Sequence, residues 1–163
     1  MGKNIIPEGL LYNRRMTVHL SITSSYTLLK STIRMPALMQ ALKEQGYDTC
    51  ALCDHNVLYG AASFLHACAK EGIHGIIGME TDVDYHGEKV PFLLLSRDNR
   101  GYQNMMALSS LITQQKEQMC TVDELVRYGQ GCIIIAYGEG GWMDGELVQE
   151  RYEALRSTYS QRI

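Results

Sequence analysis

Between positions 17 and 136 the chain repeats one unit about five times: a short run of β-forming residues followed by an amphipathic helix. Most of these runs do not alternate apolar with polar residues. YDTCALC (47–53), IHGIIGMETDV (73–83), KVPFLLLS (89–96) and CIIIA (132–136) are apolar at adjacent positions. A strand that is apolar on both faces must be buried on both. The pattern therefore predicts a mostly parallel sheet or barrel whose outer face is covered by helices, and an antiparallel sandwich is incompatible with it.

Local signals punctuate the repeat. TVHLSI (17–22) is the first strand. A helix over 36–45 takes Pro36 in its first turn and Gly46 as its C-terminal cap. A second helix over 59–71 is closed by Gly72, and Tyr85-His-Gly-Glu88 reads as a turn between the third and fourth strands. A third helix runs over 98–115, with Met105, Leu108 and Ile112 on one face. Thr121 and Glu124 form a capping box that opens a helix over 122–128, and a last helix is expected over 146–157. No strand follows it, so further strands are expected beyond Ile163, and residues 1–15 are expected to be a loose extension.

Length and charge narrow the class. A chain of 163 residues is one domain by default. Fifteen Lys and Arg against 18 Asp and Glu give a net charge of −3, which leaves no electrostatic footprint for nucleic acid. No apolar run approaches the ~18 residues of a membrane span. Pro7 and Glu8 stand where a signal peptide would be apolar. Five cysteines, an odd number, fit reduced thiols better than a disulfide framework. The expected setting is the cytoplasm, without a membrane. Cys50 and Cys53 form a CxxC, but residues three apart on a strand point to opposite faces, so both read as structural. Met35, Met39, Met79, Met105 and Met106 read as core filler.

In parallel α/β folds the chemistry gathers beyond the C-terminal ends of the strands. Here that means Ser21 to Ser25, Asp54-His55-Asn56, Glu80 with Asp82, Pro91, and Gly138 to Gly141. Asp54 and His55 could bind a metal or handle a proton there, with Glu80 a second carboxylate on the same rim. His19, Ser21 and Thr23 share one face of the first strand, and His66 and His74 are expected away from the rim. Gly138-Glu-Gly-Gly141 lacks the spacing of a phosphate cradle.

VHLSITSSYTLLKS (18–31), the stretch 37–83 with Asp54-His55-Asn56 before Leu58-Tyr59-Gly60 and Gly75-Ile-Ile-Gly-Met-Glu80, and FLLLSRDNRGYQNMMALSSL (92–111) resemble the N-terminal polymerase-and-histidinol-phosphatase (PHP) domain of bacterial DNA polymerase III alpha subunits. The resemblance implies an α/β fold: a distorted seven-stranded β/α barrel, present here as about five strand–helix units over 16–163. It implies a strand-end cluster of up to three metal ions that hydrolyses phosphoesters or acts as a 3′–5′ exonuclease. Carried across residue by residue, the first-strand His-x-His pair falls on Ser21 and Thr23, and an acidic ligand on Lys30. Further ligands fall on Pro91 and near Gly138, and a closing Asp-x-His would lie beyond Ile163. Only His55 and Glu80 stand where the family has ligands.

The resulting expectation is a catalytically inactive structural and interaction module of a replicative polymerase. It would have no cofactor, or at most weakly bound Zn²⁺ or Mn²⁺. Its partners would be the remaining polymerase domains and other replisome subunits, with DNA reached only through the full polymerase. The competing readings are a stand-alone metal-dependent phosphoesterase or exonuclease, and an α/β binding module. Activity of this chain by itself stays open between them.

Overall fold

The computed structural model describes residues 18–136 and Glu153. The extension over 1–15, the glycine-rich stretch 138–141 and, apart from Glu153, which is helical, the helix expected over 146–157 lie outside the described residues. Along the chain come β1 (His19–Ile22), α1 (Met35–Gln45), β2 (Thr49–His55), α2 (Ala61–Glu71), β3 (His74–Tyr85) and β4 (Glu88–Ser96). Then follow α3 (Asn99–Gln114), β5 (Cys120–Thr121), α4 (Val122–Tyr128) and β6 (Cys132–Ala136). The sheet order is β1-β2-β3-β4-β6, with β5 paired to β3. The fold is α/β, an open sheet clothed by helices as expected of a partial barrel.

The expectation of mostly parallel pairing needs one correction. β1, β2 and β3 pair parallel, but β4 runs antiparallel to both β3 and β6. The cause is local. Tyr85 pairs with Glu88, so only His86 and Gly87 make the connection. Both have positive φ, 54° and 85°, as a type I′ hairpin requires. A two-residue link cannot cross over to a parallel neighbour. β4 is thus the one reversed strand among the described six. β5 is a further addition: two residues that pair parallel with Val83 and Asp84 of β3.

The four helices α1 to α4 pack on one face of the sheet. Leu38, Met39 and Leu42 of α1, Phe64 and Cys68 of α2, Met105, Leu108 and Ile112 of α3, and Leu125 of α4 form one buried cluster. The cluster includes Cys50, Leu52, Ile77, Met79, Val83, Val90, Phe92 and Leu94 from the strands. Residues of opposite parity, Ala51, Cys53, Leu93 and Leu95, form a second cluster with Ile76 and Ile135 on the other face. The two halves of the CxxC accordingly sit in different clusters. Met106 is exposed rather than core, because it lies one residue past the buried stripe of α3. Pro36 lies in the first turn of α1, and Gly46 closes that helix with φ 75°. Thr121 and Glu124 make both bonds of the capping box.

Candidate functional site

β2 ends beside the middle of β3, and their register places His55 opposite Glu80. Alternation along the strands turns His55, Glu80 and Asp82 to the face away from the helices, just past the apolar patch of Ala51, Cys53 and Ile76. Nε2 of His55 lies 2.8 Å from Oδ2 of Asp82. Two lysines enter from neighbouring segments. Lys30, on the loop between β1 and α1, places Nζ 3.7 Å from Oε1 of Glu80. Lys89, on β4, places Nζ 2.8 Å from Oδ2 of Asp82. Burial pushes the Asp82 carboxyl up, but the bonds from His55 and Lys89 outweigh it and hold the group below the ordinary aspartate value. Among the described residues two carboxylates face two ammonium groups there, so with His55 neutral their formal charges sum to zero.

Asp54 does not join them. It neighbours His55 on the strand and so points to the opposite face, where it is buried. Its Oδ1 accepts from the Ser24 amide at 2.8 Å and the Thr27 hydroxyl at 2.9 Å. The Ser24 hydroxyl adds a bond of 2.8 Å to Oδ2. The carboxylate thereby pins the loop that carries Lys30. Thr23 reaches the rim of β2, its hydroxyl 3.4 Å from the Cys53 carbonyl. Ser21 is exposed between His19 and Ile22, whose partners on β2 are Cys50 and Leu52. It therefore lies about four residues, or ~13 Å, short of His55 along the strand direction. His19 sits further back, its ring against Tyr47 at 4.6 Å. His74 opens β3 opposite Thr49, and His66 is on α2 facing α1. Pro91 pairs with Asp82, so at that position the rim holds a ring that offers no donor and no metal ligand.

Lys89 escapes motif reading. With Asp82 it makes one of the shortest contacts of the rim, and the available signal was parity: Asp82 lies two residues past Glu80, and the hairpin brings Lys89 back alongside. The third residue of Asp-His-Asn has a role that the sequence did not assign. Asn56 sits where β3 exchanges one neighbour, β2, for another, β5. With φ 60° it leaves the strand in the left-handed region, which asparagine tolerates better than most residues. Its amide donates to the Glu80 carbonyl, and its Nδ2 to that of Gln118. Its Oδ1 accepts from Thr81 and its carbonyl from Ser109.

The cysteines take no part in this chemistry. Burial pushes the Cys50 and Cys120 thiols up to about 12, that of Cys132 up to about 11, and those of Cys53 and Cys68 up as well. Expected from this is fewer than one thiol per chain modified by a disulfide reagent at pH 8 in the native state, half-buried Cys132 first. All five should react in guanidinium. Rapid native modification of two or more would contradict the burial.

The PHP domain family matches residues 19–162 of the chain. DNA polymerase III subunit alpha of Halalkalibacterium halodurans is 37% identical over 140 residues, and that of Bacillus subtilis 36% over 144. Each match covers 84% of this chain but only 12% and 13% of those proteins, so the chain spans about an eighth of the relatives it matches. Among solved structures, a putative metal-dependent phosphoesterase from Bifidobacterium adolescentis has the same fold: TM-score 0.66 at 11% identity, over 86% of this chain and 73% of that one. No helix among the described residues is long and apolar enough to cross a membrane. With the match running from the first residue of β1 past the last described strand, and the sheet and helices arranged as they are, the chain belongs to the PHP domain family.

Proposed function

We propose that this chain is the PHP segment of a bacterial DNA polymerase III alpha subunit, serving DNA replication in the cytoplasm as a structural and interaction module that does not hydrolyse phosphoesters. The remaining polymerase domains and other replisome subunits are its partners, and DNA is met only through the full polymerase. The identity to alpha subunits over 84% of the chain supports the context.

The observation that carries the non-hydrolytic reading is the occupation of the rim by lysines. The family's reaction relies on metal ions that activate water and neutralise phosphate. The residues present do not fit such a cluster. Lys30 and Lys89 already contact the two carboxylates, and Asp54 is turned away and bonded elsewhere. A unit positive charge about 4 Å from another costs ~4 kcal/mol at an effective dielectric of 20, less where water screens it, as at half-exposed Lys30.

The test is hydrolysis of a generic phosphoester and of a 3′-ended oligonucleotide by the purified chain with added Mn²⁺. No turnover above that of a His55→Ala variant is expected. Turnover that disappears in His55→Ala would establish the phosphoesterase reading instead.

A further inference from the structure

We infer that Lys30 and Lys89 are built-in counter-cations that take over the charge-balancing role of metal ions at the strand ends. This inference rests on the reading of the rim as non-hydrolytic, and it extends that reading from lost chemistry to a replacement that holds the rim together.

The argument starts from the carboxylates. Asp82 has a side chain only 9% exposed, and Glu80 one 18% exposed. They lie two residues apart on one strand and project to the same face, so their charges repel each other. Among the described residues the His55 ring pairs with Asp82 alone. A partly buried acidic pair of this kind needs positive charge beside it. Each carboxylate has one lysine, and the two lysines come from different segments, the β1–α1 loop and β4. Both ammonium groups have long exposed stems, with side chains 53% and 60% accessible, so they approach from the solvent side of the acidic pair. The Lys89–Asp82 contact is the shorter and more buried on its acidic side, and it carries more of the effect.

Lysines that serve as counter-ions make the fold indifferent to divalent cations, and their removal makes it responsive. The experiment is thermal unfolding of the purified chain and of a Lys30→Met/Lys89→Met variant, each in EDTA and in 1 mM Mn²⁺. The wild-type midpoint is expected to be the same in both conditions. The double variant should unfold about 3 °C lower in EDTA and regain part of that loss in Mn²⁺. A Lys30→Arg/Lys89→Arg variant should behave as wild type, since the charge is kept. If the double Met variant does not fold, the Arg variant and the wild type still decide.

A wild-type midpoint raised by Mn²⁺ would overturn the inference, and so would a double Met variant as stable and as metal-indifferent as wild type. Stabilisation of the wild type by Mn²⁺ without phosphoester turnover removes only this inference. Stabilisation with turnover removes the proposed function too.

Discussion

Asp54→Ala is expected to cost the chain about 4 kcal/mol of stability, because a buried carboxylate that accepts three hydrogen bonds leaves all three donors stranded. The Ser24 amide and the Ser24 and Thr27 hydroxyls lie in the protein interior, with Ser24 wholly buried and Thr27 nearly so. Water cannot replace the carboxylate without opening the loop. Asp54→Asn keeps an acceptor for the Ser24 amide and the Thr27 hydroxyl, so it should lose about half as much. Denaturant titration of the three proteins measures the difference, and limited proteolysis should locate new cleavage between residues 23 and 34 in the Ala variant. An Ala variant within 1 kcal/mol of wild type would mean that the carboxylate does not anchor the loop.

Gly101→Ala is expected to lower the unfolding midpoint by about 10 °C, from a loss of ~3 kcal/mol. Gly101 is buried in the first turn of α3, where the helix meets the turn before β6. A Cβ there would collide with the Gly131 carbonyl oxygen and stand 2.6 Å from its carbon. Neither atom is the free end of a side chain, so α3 and the β6 turn have to separate. Alanine by itself favours a helix over glycine by about 1 kcal/mol. The backbone collision exceeds that gain, so the sign of the measured change separates packing from propensity. A stabilised Ala variant would show that α3 does not seat against Gly131.

Both residues bear on how much could be read from sequence. Element existence follows from patterning: Pro36 and Gly46 bracket α1, the Thr121–Glu124 box opens α4, and the non-alternating runs are the buried strands. The direction of β4 was legible in the tight turn over Tyr85 to Glu88 but yielded to the expectation of a parallel sheet. β5 is too short, at two residues, to leave a periodicity. At the site, parity along β3 is enough to align Glu80 with Asp82. No spacing rule says that Asp54 and His55 serve opposite faces until the strand is known to continue through both. Gly101 lies within the 92–111 stretch that resembles the family, yet the reason for a glycine there is Gly131, thirty residues on, and only the folded chain brings the two together.

The bonds of Asn56 have a consequence for the order in which the chain folds. Its side-chain and carbonyl partners Thr81, Ser109 and Gln118 stand 25, 53 and 62 residues away in sequence. Contacts of that span pay a large loop-closure entropy, so they form after the local hairpin and helices. The joint between β2, β3 and β5 therefore closes late, with β3 and α3 already placed. During synthesis it cannot close until Gln118 has left the ribosome, whereas Ser24, Thr27 and Asp82, the partners that hold Asp54 and His55 at the end of β2, are all made earlier.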